Sequence, residues 1–566
     1  MPKTRASLLL LLLPAAGLLV HGISLPNPFY FDDLFVLRDN GWIFGKTPWI
    51  WLTNYFIDQN HLFTGFRPGL MITFWLNQLL VGPSPESFRT VNLAIHIGNS
   101  FLLFLWLRRV LSPTGRLIPI AAALLFLVHP IQTFPINFIW KRSTLLETTL
   151  LLSSLILQAR ERGRPTYRIR VVLLQTAIFL AALSIKESAL LFPAILAAAD
   201  LFVHRKRSTL LYLPLLLIAV GFYWFRFIEI NRWLGEHRRI IPSPHSLSRA
   251  EYIWTSLQTL PRYFLQWPLP DPRILDDPSP LRAIPWNAVT IDVFLLALSV
   301  LVSIRWRKIG LVPFSIALFW IQIVPTMVFP LYLVMDTIRL YVPLLGLSFL
   351  MTFFLLRLVD WIRTRRKFIP SWAGAAILGG LFLSYAAHSV LQNLRYRDPI
   401  SIWQDVAIEY PESDLAWGEL GIALSDAGEH GKAAVAFGMA TRINPSNLGY
   451  TILTLHNALR SGTSPEVVKT WLRNFSTVDV SIPDIVNLGN LARQLGEPAL
   501  AKEIYLEALR KNGNYGPAYL YLASLFEVTG ETEKAKRAHE NAARFMPYSR
   551  EAKEGARRNL FRPDAP

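Results

Sequence analysis

Eleven apolar segments fill the first 390 residues of the chain and constrain its fold more than any other feature. They lie near residues 6–23, 88–107, 116–130, 143–158, 171–185, 188–203, 210–227, 287–304, 311–330, 337–358 and 370–390. A helix of about 20 apolar residues spans the hydrocarbon core of a bilayer, which is about 30 Å thick. Because 52% of all residues are hydrophobic, we predict an all-α membrane protein with about eleven transmembrane helices.

The distribution of Lys and Arg predicts how this bundle is oriented. If the chain crosses the membrane eleven times, Lys3 and Arg5 lie on the same side of it as five basic clusters. These clusters are at 108–116, 160–170, 205–207, 305–308 and 357–367. Such clusters mark cytoplasmic loops. The apolar stretch 67–82 is then an amphipathic helix in the outer interface. The outer side holds the loops 24–87 and 228–286 and the whole C-terminal part.

A repeat of 34 residues occupies the more polar C-terminal part. Gly428, Gly462, Gly496 and Gly530 recur at this spacing, and the frame from Asp414 has the tetratricopeptide signature at Trp417, Leu420, Gly421, Leu424, Ala433, Phe437, Ala440 and Pro445. Weaker frames begin at Ile482 and Gly516. We therefore predict a membrane domain at 1–390, a connector and half repeat at 391–413, and a tetratricopeptide-repeat α-solenoid at 414–566. Such solenoids bind peptides or proteins in a concave groove.

Two adjacent carboxylates, Asp32 and Asp33, follow the first membrane helix on the predicted outer side. Acids at a membrane surface are costly to desolvate and so indicate a functional site, although an ordinary solvated loop explains them as well. Asp276 and Asp277, in the loop 228–286, form a second pair and the fallback site. That loop is long enough to cover a site as a lid. No group of residues has metal-ligand spacing, and the chain has no cysteine.

The order of several motifs links these features to a known family. The loop acids are followed by Arg67-Pro68, VNLAIHIGNS at 91–100, FLVHPIQT at 126–133, Lys186-Glu187, RLYVPLLG at 339–346 and the repeats. This order resembles that of the transmembrane-and-tetratricopeptide-repeat O-mannosyltransferases and, more distantly, the protein O-mannosyltransferases and other GT-C glycosyltransferases. The resemblance covers nearly the whole chain. The chain departs from the family pattern at three positions where that pattern has an acid: Phe134, Thr144 and Thr337, the last with Asp336 one place away.

The resemblance implies a GT-C enzyme that moves mannose or a similar hexose from a polyprenyl-phosphate donor to a protein hydroxyl. Because phosphate is a good leaving group, one carboxylate base suffices, and a single displacement inverts the anomeric carbon. We assign Asp32 as the base and Asp33 as the group that orients it, although the two roles could be reversed. Candidate ligands of the donor phosphate are Arg142, Lys141, Lys186, Arg339 and Tyr341, and candidate substrate contacts are Arg67, His129 and Glu187.

Each of these cations could instead snorkel to lipid headgroups. Two other functions fit the same segments: an O-antigen-type polymerase or ligase, which relies on loop Arg and His, and a non-enzymatic scaffold that presents the repeats. We assign no cofactor, and we neither assign nor exclude the use of a divalent metal. Expected partners are the lipid-linked sugar, an acceptor protein and membrane lipid, but no nucleic acid. The expected location is a bacterial inner membrane with periplasmic repeats; an endoplasmic-reticulum membrane is topologically equivalent.

Overall fold

The computed structural model describes a chain of helices. The described residues are 3–34, 37, 67–111, 117–164, 166–205, 209–225, 248–271, 281, 283–329, 331, 333–365, 370–445, 447–473, 480, 482–545 and 554–555. Among these residues there is no β-strand, which confirms the predicted all-α class. The chain divides into two compact units, the first ending at Asp398 and the second containing the residues from Pro399 onwards. The fallback pair, Asp276 and Asp277, lies outside the described residues.

The first unit is the apolar one. Its helices are α1 Lys3–His21, α2 Pro68–Leu80, α3 Pro85–Val110, α4 Leu117–Val128, α5 Thr133–Asn137, α6 Arg142–Arg160, α7 Ile169–Leu183, α8 Phe192–Ala198, α9 Thr209–Tyr223, α10 Arg249–Leu257, α11 Leu260–Leu265, α12 Trp286–Arg305, α13 Leu311–Val328, α14 Pro343–Arg365 and α15 Ala373–Arg395. Of the helices in the described part, six are long and apolar enough to cross a membrane, or seven with one bent pair. The unit is therefore an integral membrane domain, and the count of eleven crossings stays a prediction.

A proline interrupts the bent pair of helices. Helix α4 ends just before Pro130, which has no N–H and cannot continue the helix, and the chain bends by 51° into the next helical segment. The oxygen of Leu127 thereby loses its helical partner. It accepts hydrogen bonds from Nε2 of His21 at 2.9 Å and of His96 at 3.0 Å. Broken backbone at membrane depth is stable only where other protein groups supply such bonds.

A buried arginine fixes the segment that follows α1. Arg89 in α3 is fully buried and donates to the backbone oxygens of Asn27, Pro28 and Asn137. The guanidinium carries five N–H groups in a rigid fork, so one side chain can bind several backbone segments at once. The loop that carries the two aspartates is thereby anchored to the third helix.

The second unit is a series of shorter helices. They are α16 Pro399–Glu409, α17 Asp414–Asp426, α18 His430–Ile443, α19 Leu448–Arg460, α20 Pro465–Arg473, α21 Ile482–Gln494, α22 Pro498–Lys511, α23 Gly516–Val528 and α24 Thr532–Phe545. The glycines that recur every 34 residues lie between successive helices with φ of 80°, 99°, 72° and 78°. Glycine enters this left-handed region without steric cost, which explains its place in each turn. The sequence repeat thus corresponds to pairs of helices.

Replacing Gly489 with Ala is expected to destabilise the second unit. A Cβ atom there would lie 2.4 Å from the Tyr505 ring. That ring is buried, and its hydroxyl donates to Asn490 at 2.6 Å, so it cannot easily move away. Overpacking of this kind costs about 1–3 kcal/mol. Hydrogen exchange of α21 and α22 in the full chain measures the loss as faster exchange.

The matched control is Gly438→Ala in α18, where the nearest atom to the new Cβ is 4.0 Å away. There we expect no loss, and a gain of up to about 1 kcal/mol, because Ala favours the helix over Gly. Equal exchange rates around both substituted positions would contradict the packing argument.

Candidate functional site

The two neighbouring aspartates of the first loop have different surroundings. The residue before them, Phe31, has a left-handed backbone with φ of 47°, which a bulky side chain rarely adopts. In the turn that follows, the N–H of Asp33 donates to the oxygen of Tyr30 at 2.8 Å. Asp33 is fully buried, whereas the side chain of Asp32 remains 36% exposed. Only Asp32 is therefore accessible to a substrate.

The carboxylate of Asp33 makes its hydrogen bonds to backbone inside the protein. Its two carboxylate oxygens accept hydrogen bonds from the backbone N–H of Ile139 at 2.9 Å and of Trp140 at 2.7 Å. Burial raises the pKa of Asp33 to about 7, although these two hydrogen bonds act in the opposite direction. The side chain thus holds the short turn Ile139–Lys141 against the first loop. This position explains how Asp33 supports the site without entering it.

Asp32 faces a lysine of that same turn. The Nζ atom of Lys141 lies 3.8 Å from Oδ2 of Asp32. Burial has the largest influence on the pKa of Asp32 and raises it, and the positive charges of Lys141 and Arg67 partly oppose this effect. A partly exposed carboxylate with a raised pKa is a suitable general base.

Lys141 has a second acidic neighbour that our sequence analysis did not assign to the site. Oδ2 of Asp336 lies 3.7 Å from its Nζ atom. The ring of Phe134 is also close, with its centroid 5.8 Å from Nζ. Two of the three departures from the family pattern therefore meet at one lysine: Phe134 contacts it, and the displaced acid Asp336 pairs with it. The one-place offset of Asp336 was the only signal in the sequence.

Four further charged groups complete the site, which we call the charged cluster. Its members are Asp32, Arg67, Lys141, Glu147, Lys186, Glu187 and Asp336. Arg67 binds Glu187 through two nitrogens, the shorter contact being 2.8 Å. Lys186 lies 3.4 Å from Glu147 and donates to Thr144 at 2.7 Å. The third departure from the family pattern, Thr144, thus also contacts a lysine of the cluster.

The members of the charged cluster influence one another. Burial lowers the pKa of Lys186, Glu147 raises it, and Arg67 and Lys141 lower it further. Three cations stand among four acids, and all of these side chains except the buried Glu147 keep some exposure to solvent. The arrangement can accept a proton at a carboxylate and can hold an anion at an ammonium or guanidinium group.

Two of the predicted phosphate ligands are committed elsewhere. Arg142 is fully buried and donates to the side-chain oxygens of Asn92 and Asn77 and to the backbone oxygens of Thr73 and Phe88. These bonds join α2, α3 and α6. Tyr341 is also fully buried, and its hydroxyl lies 2.8 Å from Nδ1 of His96. Both side chains organise the bundle instead of facing a ligand, so we assign neither to the phosphate.

Two of the predicted residues bind the described part of the loop 228–286. Nε2 of His129 donates to the oxygen of Trp267 at 3.0 Å. Arg339 donates to the Tyr263 hydroxyl at 3.3 Å and to the backbone oxygens of Val334 at 2.6 Å and Leu333 at 2.5 Å. The Arg339 contact orders backbone at the cluster, because the same Tyr263 hydroxyl bonds the backbone of Asp336. Arg339 keeps N–H donors beyond those that these bonds use, because a guanidinium has five.

The described residues contain no group of three or more His, Cys, Asp or Glu side chains that could hold a metal ion. The fold and the cluster together define an integral membrane protein with acidic and basic side chains gathered where helices end. No family model matches the chain. Similar proteins are known, however, and they agree in the activity that they are named for.

Protein O-mannosyl-transferase TMTC3 of Mus musculus is 22% identical over 90% of this chain and 61% of its own length. A protein O-mannosyl-transferase of Caenorhabditis elegans is 29% identical over 38% of this chain and 31% of its own. Protein O-mannosyl-transferase TMTC1 of Homo sapiens is 32% identical over 25% of this chain and 17% of its own. The resemblance to transmembrane-and-tetratricopeptide-repeat O-mannosyltransferases is thus confirmed. The chain spans about three fifths of the mouse relative and smaller parts of the other two.

Proposed function

We propose that the chain transfers mannose or a similar hexose from a polyprenyl-phosphate donor to a hydroxyl of an extracytoplasmic protein. One observation carries the proposal: the accessible carboxylate of Asp32 stands 3.8 Å from the ammonium of Lys141. A proton acceptor and a cation for the leaving phosphate are thereby adjacent. The names of the similar proteins support the same reaction class.

The proposed reaction is a single displacement. Asp32 takes the proton of the acceptor hydroxyl as its oxygen forms a bond to the anomeric carbon. The bond from that carbon to the phosphate oxygen breaks, and the polyprenyl phosphate leaves with the electron pair. One carboxylate is enough, and the anomeric carbon is inverted.

Fixed cations stabilise the negative charge that develops on the leaving phosphate. We propose Lys141 as the main ligand, because its acidic contacts of 3.7 and 3.8 Å are longer than a direct hydrogen bond. Lys186, Arg67 and Arg339 are further ligands. Glu187 then orients Arg67, and His129 orients the covering loop.

The proposed topology has eleven crossings. Each predicted apolar segment coincides with a helical segment of the first unit, including the shorter apolar helices Leu11–Ser24, Ile169–Leu183 and Leu211–Tyr223. Helix α2 is not counted as a crossing, because a crossing there would put Lys3 and Arg5 on the opposite side from the other basic clusters. With the basic clusters in the cytoplasm, Asp32 and the chain after α15 face the outer side. We propose that the C-terminal helix pairs are tetratricopeptide repeats that recognise the acceptor.

The test is transfer of radiolabelled mannose from polyprenyl phosphate mannose to membrane and secreted proteins by the purified chain in lipid nanodiscs. With a β-linked donor, inversion predicts labelled protein whose label is released by an α-mannosidase and not by a β-mannosidase. Labelling of a lipid-linked polysaccharide instead would indicate the polymerase or ligase. No transfer with any polyprenyl-phosphate sugar would leave a scaffold role and overturn the proposal.

A further inference from the structure

We infer that Asp336 is a positioning residue for the proposed transfer: it shares Lys141 with Asp32 and so keeps that ammonium from neutralising the base. The inference rests on the proposed function. It concerns a residue whose carboxylate lies at nearly the same distance from the Lys141 ammonium as the base does, 3.7 against 3.8 Å. An ammonium at these distances from two carboxylates makes a direct hydrogen bond to neither.

The structure holds Asp336 firmly in this position. Its Oδ1 atom caps the short helix Thr337–Leu340 by accepting the N–H of Ile338 at 3.1 Å. Its backbone N–H donates to the Tyr263 hydroxyl at 3.1 Å, and that hydroxyl in turn donates to the backbone oxygen of Asp336. One carboxylate oxygen and the backbone are therefore occupied, and Oδ2 alone is turned towards Lys141.

The charges around Asp32 explain what the second acid changes. Lys141 and Arg67 act on Asp32 as cations, and Asp336 acts on it as an anion. Arg67 is already paired with Glu187, so Lys141 is the cation that could pair fully with the base. Without the Asp336 charge, Lys141 would pair with Asp32 alone. The tighter ion pair would make the Asp32 carboxylate a weaker proton acceptor.

The test compares substitutions of Asp336 with a substitution of Lys141, which should act in the opposite direction. Asp336→Asn keeps an oxygen for the cap but removes the charge, and Asp336→Ser removes the charge with another residue that caps helices well. Both should move the acidic side of the pH–rate profile to lower pH and reduce the plateau rate about tenfold. Lys141→Gln should move the acidic side to higher pH, because Asp32 loses its nearest cation.

A second measurement does not depend on catalysis. Infrared difference titration detects the protonated carboxyl of Asp32, assigned by its absence in Asp32→Asn. Its midpoint should fall in both Asp336 variants and rise in Lys141→Gln. An unchanged or raised midpoint in the Asp336 variants would overturn the inference, even if transfer by the wild type is normal. If the wild type transfers no sugar but the midpoints shift as expected, the coupling stands and the proposed function fails.

Discussion

Replacing Asp32 with Asn is expected to reduce sugar transfer by about 10²–10⁴-fold while the fold stays intact. Asn has nearly the same shape but cannot accept the proton of the acceptor hydroxyl. The side chain is 36% exposed and its cationic neighbour is 3.8 Å away, so little packing is lost. The initial rate of mannose transfer at saturating donor measures the effect, and thermal unfolding in nanodiscs verifies the fold.

Asp360→Asn provides a matched control for that experiment. Asp360 is exposed and lies in α14, 17 residues after the helix begins, which corresponds to about 25 Å of helix. The same chemical change there should leave the transfer rate within about twofold of the wild type. If Asp32→Asn retained the rate of this control, Asp32 could not be the base.

Replacing Asp33 with Asn should have the opposite outcome, a loss of stability that precedes any specific loss of chemistry. The buried carboxylate accepts the N–H groups of Ile139 and Trp140, and an amide can accept only one of them. The other buried donor loses its partner, which costs about 1–3 kcal/mol. Thermal unfolding should begin at a lower temperature than in Asp32→Asn, and the cluster should lose order because these donors lie beside Lys141.

The pH dependence of stability provides a further check on Asp33. Burial raises its pKa in the folded protein to about 7, above the model-peptide value of 3.8. A folded pKa above the unfolded one means that the native state binds the proton more tightly. The stability that this group contributes is complete below about pH 4 and is lost as the pH rises through 7. Asp33→Asn should lack this pH dependence, so its stability deficit relative to the wild type should narrow as the pH rises through 7. A variant as stable as Asp32→Asn at every pH would exclude the structural role.

The candidate cations show how far residue type alone leads. Lys141 and Arg142 are adjacent, and both stand where a membrane helix begins, so the sequence predicts the same role for each. In the folded chain the Arg142 side chain is fully buried and donates to four acceptors. The Lys141 ammonium, in contrast, has two carboxylates nearby, and both lie too far away for a direct hydrogen bond. Neighbouring residues on a helical turn point in different directions, and the surrounding helices decide which one faces the site.

The sequence by itself determined the all-α class, the membrane domain and the 34-residue spacing of turns, because hydropathy and glycine spacing are properties of short stretches of chain. Only the tertiary structure decided which aspartate is accessible, which cation is available and that Asp336 joins the site. The partners of Asp33 are 106 and 107 residues away along the chain. Burial and hydrogen bonding at such a site depend on groups contributed by distant segments, and no local pattern records where those segments meet.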